Sequence, residues 1–137
     1  MKSRSESLIR LKKFQVDEKR RQVAQIEMMI ADFERMAGEL DQQIEIEQQK
    51  TGISDVAHFA YSTFAKAAMQ RRDNLLASAM EMRGKLEAAQ DDLAEAVEDL
   101  KKVELLDQRE HGREAQAEAK AEQDDYDEMS RMRRTRH

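Results

Sequence analysis

Apolar residues recur along the first third of the chain at a spacing that a helix gathers onto one side. Ile9, Val16, Val23, Ile30, Ala37 and Ile44 come at intervals of seven, and Ile26, Phe33 and Leu40 fill the position three further on. In heptad terms these are the a and d positions of a coiled coil, a stripe that must be covered by another helix. Lys12, Lys19 and Glu47 take d positions in place of apolar residues, so packing is expected to weaken toward both ends. Ser3 with Glu6 has the spacing of a capping box, in which the two side chains satisfy backbone donors at a helix start. The pattern predicts a first helix over about 5–50.

The stretch TGISDVAHFAYSTF then breaks the period. Gly52 is a candidate C-cap, and Ser54, Ser62 and Thr63 are candidate N-caps for a second helix, so about 51–62 reads as a hairpin turn with at most one short helical piece. A second stripe runs through Ala65, Ala68, Leu75, Ala79, Met82, Leu86, Ala89, Leu93, Ala96, Leu100 and Val103, with Arg72 and Asp107 as its polar exceptions. It predicts a helix over about 63–106, rich in alanine where the first is rich in large side chains, which lets two helices approach closely. The expected fold is therefore all-α, a long antiparallel two-helix coiled-coil hairpin over 1–106. Residues 107–137 lose the stripe: Glu110, Glu114, Glu118 and Glu122 recur at steps of four beside Ala115, Ala117, Ala119 and Ala121. Like charges at that spacing repel along one face, so this part is expected to be an acidic, frayed helical or disordered extension closing on the basic RMRRTRH.

Charge adds direction to the hairpin. Residues 1–21 hold eight Lys and Arg against three acids, whereas 87–128 hold sixteen acids against five bases. Folding the chain about residue 57 brings Lys12, Lys13, Lys19, Arg20 and Arg21 level with Glu95, Glu98, Asp99 and Glu104. Such exposed pairs are each worth only a few tenths of a kcal/mol, enough to favour an orientation.

Composition narrows the chemistry. The 137 residues include no Pro, Trp or Cys, four Gly and only six aromatics, too few turn formers for a barrel or a doubly wound sheet. Without Cys there are no disulfides, thiolate metal sites or cysteine nucleophiles, a composition suited to a reducing compartment. The longest apolar run, Met28 to Ala31, is four residues against the roughly 18 that span a bilayer, so neither membrane insertion nor a signal-peptide core is expected. His58, His111 and His137 fall at no metal-ligand spacing, and no Gly-rich phosphate loop or nucleophile elbow occurs. We expect no catalytic residue, no cofactor, no metal and no small-molecule substrate. LIRLKKFQVDEKRRQ ahead of heptads invites a basic-zipper reading, but the apolar stripe continues through it at Ile9 and Val16, and overall acidity opposes binding to nucleic acid. A structural coiled-coil oligomer remains the plainer alternative.

Two apolar groups lie off the stripe. Leu8, Leu11 and Phe14 come level with Leu105 and Leu106 at the open end of the hairpin. Either the stripe shifts sideways there, or an exposed patch ringed by Arg10, Lys12, Lys13, Lys19, Arg20 and Arg21 is offered to a partner. Phe59, Tyr61 and Phe64 hold half of the aromatics within the turn, where they pack over the hairpin end or form a second docking surface. The nine Met read as gap fillers in the packing.

LIRLKKFQVDEKRRQVAQIE, the turn GISDVAHFAYSTFAKAAMQRRDNL and KKVELLDQRE, set in a two-helix plan of this length, resemble the FliJ family, most of all its alphaproteobacterial type, over about residues 4–110. The resemblance implies the soluble coiled-coil component of the flagellar type III export apparatus, similar in form to the two long helices of the rotary ATP synthase γ subunit. It implies a non-enzymatic cytoplasmic stalk at the basal body. The open end would enter the hexameric flagellar export ATPase, while other surfaces would meet the export-gate membrane protein and export substrate chaperones. On that reading the ATPase contact falls on Leu8, Arg10, Leu11, Lys12, Lys13, Phe14, Lys19, Arg20, Arg21, Leu105 and Leu106. The acidic run to Glu128 and the Arg-rich end depart from the family pattern.

Overall fold

The computed structural model describes residues 4–135, almost all of them in two helices, α1 (Arg4–Thr51) and α2 (Thr63–Thr135). The described residues contain no strand, so the fold is all-α. Ser3 of the expected capping box, and Arg136 and His137 of the basic end, lie outside the described residues. Contacts divide the chain into two units, Asp17–Glu95 and residues 4–16 with 96–135, each pairing a segment of α1 with an antiparallel segment of α2.

Within Asp17–Glu95 the two helices form a hairpin. Ile30, Ala37, Leu40 and Ile44 of α1 are buried, and Val23, Ile26 and Phe33 of the same stripe are half-buried, the same positions that the heptad count selects. From the other side come Ala65, Ala68, Ala79 and Ala89 of α2, with Leu75, Met82, Leu86 and Leu93 half-buried. Leu40, Ile44 and Ala68 form a contiguous buried cluster, with Met69 and Leu75 packed against it. Large residues on one helix thus meet methyl groups on the other, and covering a side chain such as Ile30 or Leu40 stabilises the pair by about 1.5–3 kcal/mol.

Ion pairs cross this unit at Arg72–Asp41 (2.9 Å), Arg83–Glu34 and Lys19–Asp92 (4.0 Å). Arg72 is the polar exception of the α2 stripe, and its hydrogen bonds to Asp41 and then Asp73 hold the guanidinium even further above its ordinary pKa. The expected pairing of Arg20 and Arg21 with acids of α2 does not occur. Arg20 turns to Asp17 and Arg21 to Glu18 one turn earlier on their own helix, because exposed side chains reach an i−3 neighbour at less entropic cost than a partner helix.

The connection is held by backbone at its start and by side chains at its end. Gly52 ends α1 with φ of +73°, the left-handed conformation open to glycine, and its N–H reaches the Gln48 carbonyl at 2.9 Å. Of the three candidate caps it is Ser62 that starts α2: its hydroxyl accepts from Ala65 N–H (3.2 Å) and donates to Glu47 Oε1 (3.0 Å). Glu47 therefore breaks the apolar stripe in order to tie the two helices together. Between these points the chain makes only turns, with Asp55 accepting from Ala57 N–H and, through its carbonyl, from His58 N–H.

In the unit of residues 4–16 with 96–135, Val16 is buried, and Ile9, Lys12, Ala96, Leu100, Val103 and Asp107 are half-buried along the pairing line. Ser5 Oγ donates to Glu110 Oε2 across the pair at 3.4 Å. α2 has no boundary near residue 106. It runs on to Thr135 because Ala, Glu, Gln and Lys dominate there and local helix propensity offsets the repulsion among the glutamates. Nearly every side chain past Glu110 is exposed. At the last turn of pairing, His111 Nδ1 lies 2.8 Å from the Asp107 carbonyl oxygen and 3.3 Å from Asp107 Oδ1, an oxygen that is buried. The backbone carbonyl first and the carboxylate second hold the His111 pKa above the ordinary histidine value.

Substitution and titration each check this packing. Ile30→Ala or Leu40→Ala is expected to cost about 2–3 kcal/mol in a denaturant series, the low end for large-to-small changes because the stripe is shallow, and Glu98→Ala under about 0.5. Since the folded chain raises the His111 pKa, the charged contact is fully present below the unfolded-state pKa and is lost as pH rises through the folded-state midpoint. An NMR titration should place that midpoint above the ordinary value, and Asp107→Ala should bring it partway down, leaving the backbone carbonyl and the charges of Glu114 and Glu110.

Candidate interaction surfaces

On α1, side chains step around the axis by about 100° per residue. Starting from the covered positions Ile9, Lys12 and Val16, that step turns Leu11 and Phe14 to the side facing away from α2, with Leu8 at its edge. All three are open to solvent, Phe14 at 57%. The stripe therefore does not shift sideways to absorb them. Arg10 and Lys13 are exposed among these residues, whereas Lys12 lies on the pairing line and is half-buried. Further along α1, in the other unit, Lys19 is half-buried against Asp92, and Arg20 and Arg21 are exposed but engaged with Asp17 and Glu18.

α2 presents its own apolar residues in the same way. Leu100, Val103 and Asp107 face α1, which leaves Leu105 and Leu106 on the opposite side, exposed at 54% and 61%. They line a shallow depression with Lys102 and Arg109. The leucines of α2 thus do not merge with Leu8, Leu11 and Phe14 into one patch, as their level in the hairpin suggests. They form two strips on opposed sides of one helix pair, each set among cations. Charge counting passes over Lys102 and Arg109, because the stretch around them is acidic in sum; the i, i+3, i+4, i+7 spacing of Lys102, Leu105, Leu106 and Arg109 is the signal that places them on one face.

At the loop end, Phe59 is 97% exposed and stacks on His58 with ring centroids 4.7 Å apart, and Phe64 is exposed on the first turn of α2. Tyr61 leaves the candidate docking set. It is buried, its hydroxyl accepts from Gln48 Nε2 at 2.9 Å and donates toward Met69 Sδ at 4.0 Å, and it closes the hairpin from inside. A polar tip on an aromatic ring needs such a partner when buried, and Gln48 one turn before the loop supplies it. A shallow groove between the helices of Asp17–Glu95, lined by Met36, Arg71, Asn74, Leu75 and Ser78, is a further open surface that sequence reading did not single out.

Among the described residues no helix is long and apolar enough to cross a membrane, and no three His, Asp or Glu side chains gather as metal ligands. The open surfaces described above are exposed apolar side chains with basic neighbours on paired helices. Comparison with curated proteins gives no match, and neither does comparison with solved structures. Comparison with protein families gives one that spans residues 1–137, the whole chain, and is described as flagellar FliJ protein. The chain belongs to the FliJ family of flagellar proteins, with the role related to flagellar export that this family carries.

Proposed function

We propose that this chain is a non-enzymatic stalk and escort component of flagellar type III export, whose open end enters the central pore of the hexameric export ATPase. The observation that carries this reading is the placement of Leu8, Leu11 and Phe14 on the outer side of α1 and of Leu105 and Leu106 on the outer side of α2. A partner docking on one side of the pair meets only one of these strips, whereas a ring surrounding the pair meets both. Arg10, Lys13, Lys102 and Arg109 among them suit an acidic lining, with Lys12 half-covered and Lys19, Arg20 and Arg21 adding charge along α1. We assign the paired helices of 1–106 to this stalk and 107–137 to an accessory extension. The groove beside Met36 and Leu75 and the exposed rings of Phe59 and Phe64 are left for the export-gate membrane protein and substrate chaperones. The site of action is the cytoplasmic side of the basal body.

Binding to the purified export ATPase tests the assignment. Leu11→Ala and Phe14→Ala should each weaken it by about tenfold, the loss of one well-placed apolar anchor, with helicity unchanged because neither residue is on the pairing line. Arg10→Glu with Lys13→Glu should slow association and flatten its dependence on salt. Parent-like binding by all of these variants assigns the ATPase contact elsewhere, first to Phe59 and Phe64.

A further inference from the structure

The loop between the helices repeats one small turn. At residue 55 the side chain accepts the N–H two residues on, Asp55 Oδ1 from Ala57 at 3.0 Å, and the carbonyl accepts the N–H three residues on, from His58 at 3.1 Å. At residue 58 both bonds recur: His58 Nδ1 accepts from Ala60 N–H at 3.0 Å, and the His58 carbonyl accepts from Tyr61 N–H at 3.0 Å. The two turns follow head to tail and end on Tyr61, the buried ring that closes the hairpin. Asp and Asn are the usual residues for a turn of this kind, because their side-chain oxygen is an acceptor that reaches the N–H two residues on. In the second turn an imidazole takes the place of that oxygen.

The replacement makes the turn depend on a proton. An imidazole nitrogen accepts a hydrogen bond only when it carries no hydrogen, so the bond from Ala60 requires the neutral ring with its proton on Nε2. A second proton goes to Nδ1, turns it into a donor and sets two N–H groups against each other. Histidine is the side chain whose charge changes between about pH 5 and 8, and His58 is exposed, so the proton reaches it without unfolding. Its stack on Phe59, with centroids 4.7 Å apart, tolerates either charge state, since an aromatic face also attracts a cation. The titratable side chains around the loop are Glu47 and Lys50 on α1, Asp55 before the ring, and Tyr61 and Lys66 after it. Glu47 is taken up by the Ser62 hydroxyl, Asp55 by Ala57 N–H, and Tyr61 by Gln48 and Met69. Among the described residues no charged side chain makes an ion pair with His58, which leaves the Ala60 bond to decide between the two forms of the ring.

We propose that the loop tip is a proton-responsive switch, in which neutral His58 holds the 58–60 turn shut with Phe59 at its apex and the imidazolium releases Ala60 N–H and frees the apex. The bond fixes the sign: the turn is closed while the ring is neutral and opens as falling pH protonates it. The clasp beside it does not open in step, because Gln48 with Tyr61 and Glu47 with Ser62 involve no histidine. The response is therefore confined to the tip, where Phe59 is 97% exposed. On the reading that assigns Phe59 to docking, the neutral ring is the docking form; that consequence rests on that reading, whereas the switch itself does not.

NMR on the full chain alone, labelled with ¹⁵N and titrated between about pH 8 and 5, is the test. With the ring neutral, its nitrogen shifts should place the proton on Nε2. As the ring titrates, exchange of the Ala60 amide with water, corrected for the intrinsic rate, should quicken by about fivefold, the change that one ordinary hydrogen bond gives. Fast backbone motion at Phe59 should rise over the same range, while Ala57, held by Asp55, should not change and serves as the internal reference. His58→Asn supplies an acceptor that does not titrate, so Ala60 should stay protected and Phe59 ordered throughout. His58→Phe keeps a ring to stack and removes the acceptor, so Ala60 should be unprotected at every pH. Circular dichroism should match the parent in both, since the residue lies in neither helix. A neutral ring with its proton on Nδ1 overturns the proposal, as does an Ala60 amide indifferent to the ring's titration or an Asn variant that responds to pH as the parent does.

Discussion

Two helices share only one face, and that geometric fact governs the rest of the molecule. Each helix can cover about a third of its circumference with its neighbour, so residues at the a and d positions carry the folding energy and all others meet solvent. In Asp17–Glu95 this produces a division of labour by size, with Ile30, Leu40 and Ile44 reaching across to alanines at 65, 68, 79 and 89. A core of that kind has no room to bury a surplus apolar residue. Leu11, Phe14, Leu105 and Leu106 are consequently on the outside whatever their function, and an exposed leucine or phenylalanine has a different meaning here than on a globular enzyme with several layers to choose from.

Polar residues on the same face act as fasteners rather than as faults in the packing. Arg72 gives up an apolar position on α2 and reaches Asp41, Glu47 gives up one on α1 and receives the Ser62 hydroxyl, and Lys19 approaches Asp92. Each is only partly covered, so neither the desolvation of the charge nor the gain from pairing is large. Their value is positional. A slip of the pairing by one heptad would keep apolar residues facing one another but would separate every one of these partners.

Heptad counting alone gives the covered face of both helices almost residue by residue, because burial on a two-helix frame depends on little besides angular position. The choice of Ser62 over Ser54 and Thr63 as the helix start was not legible, since it depends on Glu47, fifteen residues away, being level with it. Phe59, Tyr61 and Phe64 read alike in the sequence, as packing over the hairpin end or as a docking surface, yet of the three it is Tyr61 that Gln48 and Met69 enclose. Charge was the least reliable guide: complementary totals on two segments say nothing about which partner a flexible arginine takes, and Arg20 and Arg21 take the nearest. The open-end leucines and Phe14 were legible as candidates, but whether they formed one patch or two depended on the side of each helix they occupy, which becomes definite only once the pairing line is fixed.

The clasp around the loop also has a kinetic meaning. Its contacts, Gln48 with Tyr61 and Glu47 with Ser62, join residues thirteen and fifteen apart, while those farther along the hairpin, such as Lys19 with Asp92, close far longer loops. The entropy cost of loop closure is smallest at the clasp, and the buried apolar cluster of Leu40, Ile44 and Ala68 lies beside it along the hairpin. Loop-closure entropy therefore favours folding of Asp17–Glu95 from the turn outward, each added heptad closing only a small further stretch of chain. The turn is thus the entropically favoured start of the hairpin as well as its end.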